Sequence, residues 1–101
     1  MRDQAMNDHM KRLHATIHGK VQAVSFRYFT MRAAKPLGIT GWVRNRFNGT
    51  VEMVMEGEEH DLEKLLEIVK NGPPSSQVSI VDHTWETATG EFNKFKIRMT
   101  R

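Results

Sequence analysis

Two segments of this chain carry residue types that can handle an anion. The first runs Gly19-Lys20-Val21-Gln22-Ala23-Val24-Ser25-Phe26-Arg27, a short loop ending in an arginine where a helix is predicted to begin. A helix start offers unpaired backbone N–H groups at the positive end of its dipole, so it suits an anion. A guanidinium there adds a permanently charged, forked donor that matches phosphate geometry. The second runs Gly41-Trp42-Val43-Arg44-Asn45 and ends a predicted strand with an amide side chain that can hold a water. Neither segment offers a metal-ligand set or a nucleophile, so the chemistry they suggest is phosphate handling.

The elements that must position them follow from periodicity. Leu13, Ala15 and Ile17 alternate with His14, Thr16 and His18, which predicts a strand with one buried face, ended by Gly19. Phe26, Phe29, Ala33 and Leu37 recur near helical spacing, and Pro36 ends that helix near Lys35. Ile39 to Arg46 reads as a strand and Thr50 to Glu56 as its return, with Val51, Met53 and Met55 on one face and Gly57 closing it. Asn48-Gly49 between them is a hairpin signal, since both positions tolerate positive φ. Leu62, Leu65, Leu66 and Val69 fit i, i+3, i+4, i+7 and predict a helix over about 59–71, stopped by Gly72-Pro73-Pro74. Val78 to Trp85 reads as a further strand, and Phe95, Ile97 and Met99 alternate in a last one. The order βαββαβ plus a final short strand predicts an α+β fold: a two-layer ferredoxin-like sandwich with two helices on one face of a mostly antiparallel sheet.

A chain of 101 residues suits one domain, here expected over 11–101 behind a polar N-terminal tail of residues 1–10. It has no cysteine, which excludes disulfides, thiol catalysis and zinc–thiolate sites and suits a cytoplasmic setting. No apolar run approaches the roughly 18 residues of a membrane span, and residues 1–10 lack a signal-peptide core. The net charge of +3 is uneven: residues 1–49 carry nine Lys/Arg against two Asp/Glu, and residues 50–101 carry six against ten. The basic half holds both segments, and a field of that sign favours an anionic ligand.

Together these segments resemble the acylphosphatase family. That family shows a loop G-x-V-Q-G-V-x-F-R, then A-x-x-L-G, G-W-V-R-N, a D-G or N-G hairpin, V-E, a helix, and G-P before a strand. The counterparts are Gly19 to Arg27, Ala34 to Gly38, Gly41 to Asn45, Asn48-Gly49, Val51-Glu52, and Gly72-Pro73 with Val78. The resemblance covers about residues 11–100. It implies hydrolysis of small acyl phosphates to a carboxylate and phosphate, with no cofactor and no metal. It places the family's catalytic arginine on Arg27, its catalytic asparagine on Asn45, and its phosphate-cradling loop on Lys20, Val21, Gln22, Ala23, Val24, Ser25 and Phe26.

Those types suit that reaction. The leaving group is a stable carboxylate, so what remains is neutralising phosphoryl charge and placing a water. Loop N–H groups and Arg27 serve the first task and Asn45 the second, while a phosphoryl oxygen can take the proton. One departure stands out: Ala23 replaces the family's glycine. If the position needs left-handed backbone, alanine costs roughly 1–2 kcal/mol there. The loop then either holds its shape under strain, leaving an active enzyme, or shifts, leaving a phosphate or acyl-phosphate binding module with weak turnover.

Other signals carry less. Gly41 and Trp42 read as structural, and Lys20 and Arg44 as surface charge that adds field. Gln22 either lines the loop or is solvated. His14 and His18 are about 13 Å apart on a strand and cannot share an ion; His9, His60 and His83 read as solvated. An RNA-binding sheet of similar topology would expose aromatics on its central strands, whereas the first strand exposes His14, Thr16 and His18, so no nucleic-acid partner is expected. No membrane contact is expected, and no surplus apolar stripe points beyond a monomer.

Overall fold

A computed structural model describes residues 9–101. The chain forms β1 (Met10–Lys20), α1 (Phe26–Ala34), a 3-10 turn (Lys35–Leu37), β2 (Thr40–Asn45), β3 (Val51–Glu58), α2 (Glu59–Asn71), β4 (Gln77–Thr87) and β5 (Phe95–Ile97). The strands make one sheet in the order β4-β1-β3-β2-β5, antiparallel except for the parallel β2–β5 pair. Both helices lie on one face, α1 over β2 and β5 and α2 over β3, β1 and β4. This is the sandwich expected from the sequence. Most of the N-terminal tail expected there falls on residues 1–8, outside the described residues.

The core lies between the layers. Strand alternation sends Leu13, Ala15 and Ile17 of β1, Val43 of β2, and Val51, Met53 and Met55 of β3 to the same side. Phe26 and Ala34 of α1, and Leu62, Leu65, Leu66 and Val69 of α2, close over them. The spacing predicted for α2 is met residue by residue, because that helix buries one continuous stripe. In α1 the fully buried residues are Phe26, Thr30 and Ala34, while Phe29, Ala33 and Leu37 sit at its margin. Thr30 is tolerated inside because its hydroxyl donates to the Phe26 carbonyl at 2.9 Å.

Several boundaries differ from the sequence reading. β3 runs through Gly57 to Glu58 and passes into α2 without a loop. A Cβ on the buried Gly57 would crowd Ile39 at 3.2 Å, so that glycine serves close packing rather than a turn. The β2–β3 hairpin closes around three residues, with Arg46 N–H donating to the Thr50 carbonyl at 2.8 Å. Only Gly49 has positive φ (93°); Asn48 instead accepts from the Thr50 N–H and hydroxyl. The last strand stops at Ile97, and Met99 is 87% exposed.

One connection matters for the site. β4 and β5 lie at opposite edges of the sheet, so residues 88–94 must cross it. They do so at the end where β1 begins. Phe92 lies under the Arg12 guanidinium, Thr89 and Gly90 bind Glu56, and the Lys94 carbonyl accepts from Gly41 N–H. β5 then runs parallel to β2 toward the other end of the sheet.

Candidate active site

At that other end, β1 runs into the loop 21–25 and then α1. β1 does not end at Gly19 as the sequence suggested: it passes a bulge between His18 and Gly19 and stays paired with β4 through Lys20. Gly19 has φ 124°, and a Cβ there would collide with the Gln77 carbonyl. Within the loop, Ala23 (φ 61°) and Ser25 (φ 62°, ψ 27°) are both left-handed, the only described non-glycine residues with positive φ. Ser25 precedes α1 but its side chain makes no capping hydrogen bond. The first turn of α1 contains no acidic residue, whereas α2 has Glu59 and Asp61 there. The positive end of α1 is thus left uncapped and uncompensated.

The loop, α1, β2 and β5 enclose a cleft of about 420 Å³, lined by Val21, Ala23, Ser25, Phe26, Arg27, Tyr28, Asn45 and Ile97. Arg27 lies on the first turn of α1 and Asn45 is the last residue of β2. Asn45 shares the parity of the buried Val43, so it points to the helix side just where the core opens. The structure therefore brings Arg27 and Asn45, eighteen positions apart, to one cleft. Of the seven loop residues singled out in the sequence, Val21, Ala23, Ser25 and Phe26 line it.

The other three sit elsewhere. Lys20 is exposed at the end of β1. Val24 packs against the core. Gln22 neither lines the cleft nor is free in solvent: its amide donates to the Arg46 carbonyl at 2.6 Å and the Thr50 carbonyl at 2.8 Å. It pins the loop to the hairpin that follows Asn45 and so fixes the spacing between loop and asparagine.

Sequence reasoning missed the C-terminal segment. Arg27 donates from Nη1 to the Arg98 carbonyl at 3.2 Å. Arg98 N–H donates to the Val43 carbonyl at 2.8 Å and Arg101 N–H to the Asn45 carbonyl at 3.0 Å. On the far face of the sheet the Trp42 ring lies between the Arg98 and Arg44 guanidinium groups, 4.9 and 4.7 Å from its centroid. Tyr28 and Ile97 complete the cleft rim. The contacts to Arg27 and Asn45 use backbone atoms, which leave no trace in residue types.

The charges sort by face. Arg44 and Arg46 reach the Glu52 carboxylate at 2.9 and 3.0 Å, and His14 reaches it at 2.7 Å. Burial works to raise the Glu52 pKa, but those three hydrogen bonds outweigh it and hold its carboxyl below the usual range. Arg27, by contrast, forms no ion pair among the described residues. Its charge faces the cleft, whose lining among the described residues has no carboxylate, imidazole or thiol. His18 pairs with Asp82 at 3.0 Å, so the two histidines of β1 have separate partners. Glu58, His60 and Asp61 bring ligand-type atoms within 4.8 Å of one another. They lie at the start of α2, the length of β3 or about 23 Å from the cleft, and His60 already contacts Asp61 at 3.3 Å.

The strain at Ala23 makes a direct expectation. Ala23→Gly releases roughly 1–2 kcal/mol of left-handed strain, less the backbone entropy a glycine loses on folding. A net gain of about 0.5–1 kcal/mol is expected, seen as a Tm rise of roughly 3–6 °C. Turnover should hold or increase, because the loop already has the shape that glycine permits. A lower Tm, or a clear fall in kcat/KM, would contradict this account.

The fold and the cleft define a class: a small α+β sandwich that opens an uncapped helix start, an arginine and a strand-end asparagine onto one cleft. Comparison with known proteins gives that class its family. The family model described as Acylphosphatase matches residues 13–97. An acylphosphatase of Pelotomaculum thermopropionicum is 50% identical over 86 residues, covering 85% of this chain and 94% of the relative. The crystal structure of acylphosphatase from Bacillus subtilis aligns with TM-score 0.84 at 36% identity, covering 87% of this chain and 98% of that one. An acylphosphatase structure from Coxiella burnetii aligns with TM-score 0.85 at 35% identity, covering 92% and 97%. The chain belongs to the acylphosphatase family of enzymes. Among the described residues, no helix is long and apolar enough to cross a membrane.

Proposed function

We propose that this chain hydrolyses the carboxyl–phosphate bond of small acyl phosphates, with Arg27 and the loop binding the phosphate and Asn45 positioning the attacking water. The observation that carries the reading is the convergence of Arg27, Asn45 and the left-handed loop on one cleft. Backbone N–H groups at the start of α1 and the Arg27 guanidinium neutralise phosphoryl charge as it redistributes. Asn45 accepts a hydrogen bond from a water and aims its oxygen at phosphorus. The new P–O bond forms as the bond to the acyl oxygen breaks, and the electron pair leaves on the carboxylate. The water's proton passes to a phosphoryl oxygen, which fits a cleft lined by no base among the described residues.

The cysteine-free composition suits a reducing cytoplasm, and one chain supplies every wall of the cleft, so a monomer suffices. The open sheet face mixes Glu52, Asp82 and Glu86 among its bases, which opposes a polyanion such as RNA.

The test is hydrolysis of benzoyl phosphate by the purified protein in EDTA, beside Asn45→Ala. Turnover that resists EDTA and falls roughly 10²–10³-fold in the variant is expected. A folded protein that binds phosphate without turnover would instead make it an acyl-phosphate binding module.

A further inference from the structure

A second groove continues the cleft. It measures about 420 Å³ and is lined by Ser25, Tyr28, Phe29, Arg32, Ala33 and Pro73. Ser25 and Tyr28 belong to both linings, so the two spaces share a wall. Apart from Ser25 and Arg32, the groove presents apolar and aromatic side chains. Tyr28 is 53% exposed, a large ring left in water where cleft and groove meet.

Arg32 gives the groove a charge. Helical side chains lean toward the helix N-terminus, so Arg32 reaches back one turn toward residue 28. Its guanidinium carbon lies 5.8 Å from the Tyr28 ring centroid, which holds the cation beside the cleft mouth. Arg32 forms no ion pair among the described residues, and α1 contains no Asp or Glu to supply one.

A substrate with its phosphate at the loop must send its acyl chain out of the cleft. The large exposed apolar or aromatic side chains at the rim are Ile97 and Tyr28. Beyond Ile97 the chain runs out to the exposed Met99. Beyond Tyr28 lie an apolar channel and a cation. Arg27 and Arg32 are five residues apart, about 7.5 Å along the helix axis. Because Arg32 leans back over Tyr28, its guanidinium sits where the groove adjoins the cleft, so a short chain leaving past Tyr28 meets a cation there.

Resting on the hydrolase reading above, we infer that this groove is an acyl subsite selecting monophosphates of short dicarboxylic acids, whose far carboxylate meets Arg32. Butanoyl and succinyl phosphate test it, since they share a four-carbon chain and differ in the terminal carboxylate. Wild type is expected to prefer succinyl phosphate in kcat/KM. Arg32→Gln lowers that preference about fivefold, the size an exposed charge pair carries, and 0.5 M salt erodes it in wild type. Lys35→Gln removes the same charge from an exposed position outside the groove and leaves the preference within twofold. Tyr28→Ala lowers butanoyl relative to acetyl phosphate about tenfold, the transfer of two methylenes to a lost wall. Melting temperatures confirm that each variant folds.

Equal effects of Arg32→Gln and Lys35→Gln would reduce the preference to general charge attraction and overturn the subsite. So would an unchanged butanoyl-to-acetyl ratio in Tyr28→Ala. Normal hydrolysis of acetyl phosphate with either result leaves the hydrolase reading standing. Failure to hydrolyse acetyl phosphate overturns both.

Discussion

Arg27→Ala is expected to lower kcat/KM for benzoyl phosphate by at least 10³-fold. Loss of a single oxyanion donor costs roughly 10²–10³ in rate, and this change also removes the one charged side chain that lines the cleft among the described residues. The structural cost is small. Arg27 makes one hydrogen bond, to the Arg98 carbonyl, and alanine is a better helix former on the first turn of α1. The Tm should therefore stay within a few degrees of wild type while activity collapses. Arg27→Lys sharpens the test. It keeps the charge but loses the planar fork, so it should recover only part of the rate. Full recovery would mean that charge alone matters and that the tether to Arg98 is incidental. A large loss of Tm in Arg27→Ala would move the residue from catalysis to folding.

Much of this architecture is written in residue types, and the exceptions have a common cause. The stripe Leu62, Leu65, Leu66, Val69 states both the existence and the face of α2, because burial of one helical face is a local pattern. Alternation in β1 and β3 does the same for the core side of the sheet. The α1 stripe is blurred by Thr30, a polar residue made tolerable by a backbone hydrogen bond that no periodicity reports. Met99 continues an apolar alternation but is exposed. The chain beyond Ile97 follows β2 toward the cleft end, where the core has already opened.

For the site, Arg27 and Asn45 were legible only as a pair in matched contexts, since either alone is an ordinary surface residue. The need for left-handed backbone at Ala23 was foreseeable from the glycine it replaces. The same conformation at Ser25 was not, because nothing in serine's chemistry demands it. Gln22 was ambiguous because its partners are two carbonyls more than twenty residues away. Arg98 stayed hidden because what it offers Arg27 is a main-chain oxygen, which any residue could supply.

Glu56→Gln is expected to destabilise the protein by about 3 kcal/mol and to flatten its acid sensitivity. Glu56 looked like one more outward residue of β3, yet it is 3% exposed because the 88–94 crossing covers it. Its carboxylate accepts from Arg12 Nε at 2.8 Å, from the Thr89 and Gly90 N–H groups at 2.8 Å each, and from the Thr89 hydroxyl at 3.0 Å. Breaking a buried ion pair costs about 3–5 kcal/mol. The lower end applies because Arg12 keeps an edge in water, and in a domain this size it corresponds to a Tm loss of roughly 12–20 °C. Burial pushes the Glu56 pKa up, but the backbone N–H groups, Arg12 and the Thr89 hydroxyl outweigh it and hold it below the usual range. A carboxyl depressed in the folded state contributes stability above its unfolded value of about 4.3 and loses it as pH falls below that. Wild type should thus lose urea resistance between about pH 5 and pH 3 more steeply than Glu56→Gln, which has no proton to take up there. Parallel slopes would refute the buried-carboxylate account, since Glu52 titrates in both proteins. The crossing also delivers β5 and the Arg98 carbonyl to the cleft. The folded variant should therefore show a raised KM for benzoyl phosphate, though Glu56 lies at the opposite end of the sheet from Arg27.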